Sequence, residues 1–110
     1  MSITGAHVQC GIVKDARGAK LFFPIWSETI ALGGTTTQSA PTGLAPEDAV
    51  SLVFRIRANA AGEMYSAAGL APDATLAIGT TQNTVRSHHL ASEEKDLPAA
   101  AGWKCNVASA

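Results

Sequence analysis

Two adjacent histidines, His88 and His89, precede Glu93 and Glu94, and all four are residue types that bind metal ions. Successive side chains of a β-strand point to opposite faces of its sheet. On a strand, His88 and His89 therefore do not share one metal ion, and a site would need His7 and a glutamate from elsewhere. We predict no metal site and no cofactor, and we expect both histidines to be solvent-exposed at a strand end.

Two cysteines, Cys10 and Cys105, are the strongest nucleophiles in the chain. A catalytic nucleophile needs a base and an orienting group within reach. Both cysteines instead alternate with apolar neighbours, a pattern typical of thiols that pack as small hydrophobes. The chain also lacks the G-x-S-x-G and H-E-x-x-H motifs and a glycine-rich phosphate loop with its lysine. We therefore predict no catalytic residues and no enzymatic activity.

Arg55, Arg57 and Trp26 are the residues predicted to contact a partner protein. The two arginines occupy the polar face of the most regular predicted strand, and arginine is enriched at protein interfaces. Trp26 and Trp103 are the only tryptophans, and tryptophan often anchors an interface. The alternatives are a solvated face for the arginines and a core position for the tryptophans. Residues 93–96 are expected to form a solvated loop.

Short β-strands are predicted to position these residues. In residues 50–58 apolar side chains recur at every second position, which indicates a strand with one face in a core. Its predicted inward face comprises Val50, Leu52, Phe54, Ile56 and Ala58. Inward faces are also predicted for Val8, Cys10 and Ile12 and for Trp103, Cys105 and Val107. The remaining predicted strands span 6–13, 21–26, 28–32, 63–67, 75–79, 84–90 and 103–108.

Proline and glycine residues separate the predicted strands. Pro24 cannot donate a ladder hydrogen bond, so its strand should lie at a sheet edge or carry a bulge. Residues 15–18 predict a hairpin turn in which Gly18 takes a positive φ, and 45–49 predict one helical turn. About eight short strands in 110 residues favour a single all-β domain over 1–110: a small antiparallel β-sandwich, jelly roll or barrel.

Composition restricts the partners that we expect. The net charge is −1 and only 15% of the residues are charged, so no basic excess favours a nucleic acid. No apolar run is long enough to cross a bilayer, and the N-terminal residues do not resemble a signal peptide. We therefore expect a cytosolic origin, no membrane partner, and free rather than disulfide-bonded Cys10 and Cys105.

The order of strands and turns carries a family resemblance. Residues 27–40 read SETIALGGTTTQSA, and the strand VSLVFRIRA follows at 50–58. A strand of small residues at 64–69 and a Leu-Pro segment with a glycine and a final strand at 97–108 complete the order. This succession resembles that of small proteins encoded near the major capsid gene of tailed bacteriophages. It spans 27–108 and leaves 1–24 as N-terminal strands or an arm.

The resemblance implies a capsid decoration or cement protein with a β-sandwich or jelly-roll fold. Such a protein would be made in the host cytoplasm and would bind the major capsid protein on the outside of the virion. Closed symmetry is usual for oligomers, so a dimer or trimer on the shell is expected. The alternatives are a tail- or fibre-associated virion protein and a small cytosolic ligand-binding β-barrel of cupin-like type, with or without a metal ion.

Overall fold

The computed structural model describes residues 5–74 and 86–109, which form two antiparallel β-sheets and one helical turn. The elements are, in chain order, β1 Ala6–Ala16, β2 Ala19–Ile30, α1 Pro46–Ala49, β3 Leu52–Arg57, β4 Met64–Gly69, β5 Arg86–His89, β6 Glu94–Pro98 and β7 Lys104–Ser109. Sheet A has the order β2-β1-β3-β6, and sheet B has the order β5-β4-β7. The predicted all-β fold is confirmed. The predicted strand over 75–79 and the first two residues of that over 84–90 lie outside the described residues.

The two sheets enclose one apolar core between their inner faces. Alternate side chains of each strand point inward, which is why the inward faces predicted for β1 and β7, and for β3 from Leu52 onward, are confirmed. The buried core includes Val8, Cys10, Leu52, Phe54 and Ile56 from sheet A and Met64, Cys105 and Val107 from sheet B. Trp103 is partly buried and packs against the same cluster.

The prediction that Val50 lies in the core is wrong. Val50 is 85% exposed because it follows the helical turn α1 and still has helical backbone angles. The strand begins only at Leu52, so the alternation of apolar residues starts one period later than the sequence suggested. The predicted helical turn itself is confirmed, since Pro46 supplies a fixed φ at its first position.

The prediction of a solvated loop at 93–96 is also wrong for most of that segment. Glu94–Pro98 forms strand β6, which pairs antiparallel with β3 and places Asp96 opposite Arg55 and Glu94 opposite Arg57. β6 is an edge strand, and charged side chains on an edge strand discourage pairing with further chains. The charge-rich composition therefore reflects an edge position rather than a loop.

Strand β2 is one continuous element where the sequence predicted two. It lies at the other edge of sheet A, and its register with β1 shifts between Cys10 and Gly11. Gly11 pairs with Pro24 and Cys10 pairs with Trp26, so Ile25 has no partner residue. The prediction that the Pro24 strand lies at an edge or carries a bulge is confirmed on both counts.

The turn that joins β1 and β2 contains two residues. Ala16 pairs with Ala19, and both intervening residues have positive φ, 52° for Arg17 and 78° for Gly18. Positive φ at both central residues defines a type I′ turn, which matches the twist of the flanking strands. The predicted hairpin turn is confirmed, with Arg17 in a conformation that non-glycine residues rarely adopt.

Residues 33–40 join the two sheets along one side of the sandwich. Their backbone runs beside β7, where N–H groups of Gly33, Thr36 and Ala40 donate to the carbonyl oxygens of Val107, Cys105 and Trp103. On the opposite side, the carboxylate of Glu28 in β2 accepts hydrogen bonds from the N–H groups of Thr37 and Gln38. The stretch that carries the Gly-Thr-Gln-Ser sequence thus serves as a structural tie between β2 and β7.

Candidate functional site

Arg55 lies on the outer face of sheet A and is bound within its own chain. Its Nε and Nη2 atoms lie 2.9 and 3.0 Å from the two carboxylate oxygens of Asp96. Its guanidinium also lies 4.2 Å from the ring centroid of Phe22. The hydrogen bonding of Arg55 to the Asp96 carboxylate is the main reason that the pKa of Arg55 is raised above its ordinary value.

Arg57 continues the same charged row but is held less closely. Its Nε lies 3.7 Å from a carboxylate oxygen of Glu94, and its Nη1 donates to the carbonyl oxygen of Ser92 at 3.3 Å. Ion pairs at such exposed positions stabilise a fold by about 0–1 kcal/mol each. Both arginines thus lie on the polar face, as predicted, and both face acidic residues of β6.

Trp26 lies on the core face of sheet A, away from the two arginines. Its ring centroid is 6.1 Å from that of Phe54, with the planes tilted by 57°. Its Nε1 donates a 3.0 Å hydrogen bond to the carbonyl oxygen of Ser39. The structure therefore does not bring the three predicted contact residues together, and the indole makes the contacts of a core residue at the sheet edge.

His88 and His89 point to opposite faces of sheet B, as strand geometry predicted. His88 is exposed, with Nε2 3.2 Å from Glu63 and its ring 5.3 Å from that of Tyr65. The expectation that His89 is also exposed is wrong, because His89 is fully buried. The register of β5 on β4 pairs His89 with Met64, which belongs to the core, and so turns the ring inward.

The buried imidazole of His89 is hydrogen-bonded on both sides. Its Nε2 lies 2.7 Å from the hydroxyl oxygen of Ser66, and its Nδ1 lies 3.4 Å from the carbonyl oxygen of Glu93. A neutral ring satisfies both contacts when Nδ1–H donates to Glu93 and Nε2 accepts from Ser66. Burial lowers the pKa of His89 below its usual 6.5. Ser66 is fully buried too, so the pair belongs to the interior of the sandwich.

Cys10 and Cys105 are free and buried, in line with the sequence prediction. Burial raises the pKa of Cys10 to about 11 and that of Cys105 to about 12. The reactive form of cysteine is the thiolate, which is nearly absent at neutral pH when the pKa is this high. Neither thiol is therefore activated for nucleophilic chemistry.

The most unusual surface is one that the sequence analysis missed. Strand β3 pairs with β1 only from His7 to Ile12, so residues 13–25, here called the distal hairpin, extend past the third strand of sheet A. The distal hairpin carries three large apolar side chains that are 42–45% exposed. These residues, here called the apolar row, are Leu21, Phe23 and Ile25.

The apolar row continues the core face of the sandwich into solvent. Phe23 pairs with the core residue Ile12, and Leu21 pairs with Lys14, so both side chains lie on the inner face of sheet A. Phe22 points to the outer face, where its ring lies against Gly11 beneath Arg55. The sequence signal was a strand with apolar residues on both faces, but the break at Pro24 hid the alternation.

A pocket of about 380 Å³ lies at the base of the distal hairpin. Two ion pairs cross this region, Lys14 with Asp48 at 2.9 Å and Lys20 with Asp15 at 3.3 Å. The lining is therefore charged and polar, unlike the apolar cavities that bind most small organic ligands. The lining residues are Val13, Lys14, Asp15, Lys20, Glu47, Asp48 and Ser51.

Comparisons with protein families, with curated proteins and with solved structures find no match to this chain. Within residues 5–74 and 86–109, His, Cys, Asp and Glu side chains form no group of three that could hold a metal ion. None of the helical residues in the same ranges forms a segment long and apolar enough to cross a membrane. The features that bear on function are therefore the surfaces described above and the resemblance carried by residues 27–108.

Proposed function

We propose that this protein is a structural component of a virus particle that binds the outside of a tailed-phage capsid and stabilises it. The apolar row is the observation that carries the proposal. Three large apolar side chains, each 42–45% exposed on one hairpin, favour binding to a partner that removes them from water. The resemblance of residues 27–108 to proteins encoded beside the major capsid gene favours a capsid as the surface that covers it.

The mechanism would be mass action. A protein that binds the assembled shell but not its separate subunits stabilises the shell by its binding free energy. Many copies on one particle add these contributions, and a dimeric or trimeric form bound at symmetry axes would add avidity. No catalytic group is needed for this activity, and the major capsid protein is the partner that it requires.

The predicted contact residues take different parts in this proposal. Arg55 and Trp26 make close contacts inside the chain, whereas Arg57 is more exposed and only loosely paired. We therefore assign the main contact to the apolar row and a peripheral polar contact to Arg57. The ligand-binding barrel is less well supported, since the pocket at the hairpin base is lined by charged side chains.

The test compares particles of the phage that encodes this chain with particles from which its gene has been deleted. The depleted shells should assemble, lack an 11.3 kDa component, and release their DNA at a lower temperature. Adding the purified protein should restore the higher release temperature. Absence of the protein from purified complete particles, or equal release temperatures at matched salt, would contradict the proposed function.

A further inference from the structure

The distal hairpin combines its exposed apolar row with a charge opposite to that of the remaining chain. Residues 13–25 contain three basic residues, Lys14, Arg17 and Lys20, and one acidic residue, Asp15, a net charge of +2. The whole chain has a net charge of −1, so the other residues together carry −3. Lys14 and Lys20 form ion pairs with Asp48 and Asp15, so Arg17 in the turn is the basic residue of the hairpin to which the described residues supply no ion-pair partner.

Strand addition is a poor way for a partner to bind this hairpin. The N–H of Val13 donates to Ser51 on the β3 side, and alternation gives Gly11 the same orientation. In an antiparallel pair, the backbone N–H and C=O groups of two opposed residues either point toward each other or both point away. Gly11 points its N–H toward β3, so Pro24, which pairs with Gly11, points its nitrogen toward the free edge of β2. Pro24 has no N–H to offer there, and the adjacent bulge at Ile25 interrupts the ladder again.

The side-chain face of the hairpin is therefore the better docking surface for a partner. That face presents Leu21 and Phe23 beside Lys14, whereas Lys20 alternates to the opposite face and Arg17 lies in the turn. Its complement is an apolar strip bordered by carboxylates, because such a surface covers the apolar row and also neutralises the excess charge. We propose that the distal hairpin is the docking element of this protein and that it binds an acidic, apolar protein surface on the shell. This inference rests on the proposed function and names the surface of each partner.

A membrane is a less suitable occupant than a protein. The turn of the hairpin carries Asp15, Arg17 and small residues, so its tip would place charges in the hydrocarbon region before the apolar row could enter. A second copy of this chain is also less suitable, because two copies would bring two hairpins of charge +2 together. Both alternatives are outcomes of the experiment below.

The main experiment measures binding of the full chain to depleted shells by sedimentation. The double variant Leu21→Ser/Phe23→Ser should bind at least tenfold more weakly, which corresponds to about 1.4 kcal/mol. Val50→Ser is the matched control, since Val50 is an apolar residue with 85% exposure outside the hairpin, and it should bind like the unchanged protein. Thermal unfolding of each variant checks that the sandwich is intact, and the single variant Leu21→Ser replaces the double variant if the latter unfolds early.

The charge of the hairpin gives a second, signed test. Lys20→Glu should weaken shell binding severalfold and Asp15→Asn should strengthen it, because the partner surface is acidic. Both effects should shrink as salt is raised from about 0.05 to about 0.5 M, where exposed charges are screened. Effects of the reversed sign would overturn the assignment of an acidic partner.

The outcomes separate this inference from the proposed function. If the unchanged protein binds shells and the double variant binds within twofold of it, the hairpin assignment fails and the proposed function stands. If the unchanged protein does not bind shells, both fail. The partner would be a membrane instead of the shell if the hairpin were needed for binding to vesicles with about one-third anionic lipid but not for binding to shells. The partner of the hairpin would be a second copy of this chain if the double variant lost self-association but bound shells as the unchanged protein does.

Discussion

Phe54 and Phe23 are the same residue type in the two strands of sheet A that flank β1, yet they have opposite environments. Phe54 is fully buried between the sheets, whereas Phe23 is 44% exposed on the distal hairpin. Phe54 belongs to the core cluster that includes Met64, Cys105 and Val107 of sheet B, and among the described residues Phe23 is not part of that cluster. Burial of these two rings therefore depends on whether the opposite sheet packs against them, and the hairpin carries a part of the core face that the described residues leave partly exposed.

The largest expected effect tests this comparison directly. Phe54→Ala should lower the free energy of unfolding by about 3–5 kcal/mol, because it opens a cavity at a site closed on all sides. Phe23→Ala should lower it by about 1 kcal/mol or less, since solvent already reaches the ring. Urea unfolding midpoints of the two variants provide the measurement. Similar losses for both would mean that the hairpin is packed as tightly as the core.

The interior also contains polar groups. Unlike the exposed apolar side chains of the hairpin, the buried Ser66 and His89 have a partner in each other. Ser66→Ala should lower the free energy of unfolding by about 1–3 kcal/mol, because the buried Nε2 of His89 loses its hydrogen-bond donor. Ser27→Ala on the exposed edge strand β2 is the control and should shift stability by about 0.5 kcal/mol or less. Equal unfolding midpoints for the two variants would show that the Ser66–His89 contact contributes nothing.

Acid should weaken the body of the sandwich through His89. The native ring has a pKa below 6.5, so above that value its neutral form contributes its full stability. As the pH falls below 6.5, the unfolded chain takes up a proton that the native ring does not, and the free energy of unfolding decreases until the native pKa is reached. Unfolding midpoints between about pH 8 and about pH 5 measure this loss.

A matched variant assigns the acid effect to one histidine. His88→Gln should retain the loss, because His88 lies on the exposed face and is not the buried ring. Nuclear magnetic resonance of the native protein provides an independent check on the same group. A His89 ring that titrates at its ordinary value of 6.5 would contradict the argument.

The smallest expected effect concerns the turn of the distal hairpin. Arg17 has a φ of 52°, a conformation that asparagine adopts more readily than arginine. Arg17→Asn creates the Asn-Gly pair favoured in type I′ turns and should raise the free energy of unfolding by a few tenths to about 1 kcal/mol. Arg17→Ala removes the same charge without this preference and should give no gain. A gain of equal size from both variants would assign the effect to charge rather than to backbone geometry.

Much of the fold could be predicted because its signals are local. The alternation in 52–58 identified β3, Gly18 identified the hairpin turn, and Pro24 identified an edge strand with a bulge. Val50 was misassigned because apolar character alone does not show where a helical turn ends and a strand begins. β6 was missed because its charges are satisfied by β3, a strand some forty residues earlier in the chain.

The candidate surface could not be predicted for a related reason. Leu21 and Phe23 have the sequence of a core strand, and their exposure depends on where β3 stops pairing with β1. His89 shows the converse, since a polar residue is buried because β5 pairs in a particular register with β4. Such relations between distant segments determine which side chains meet solvent, and no short window of sequence contains them.

The two thiols lie in the same core but on different sheets, Cys10 on β1 of sheet A and Cys105 on β7 of sheet B. A thiol reagent reaches either sulfur only while the surrounding structure is open. The labelling rate of each cysteine therefore reports local opening of the sheet that contains it. Equal labelling rates would mean that the two sheets separate in one concerted event. Unequal rates would identify the sheet that opens more often. The two thiols therefore report local opening of the two sheets separately. Under the proposed function, binding to a shell should slow the labelling of the thiol in the sheet that the partner contacts.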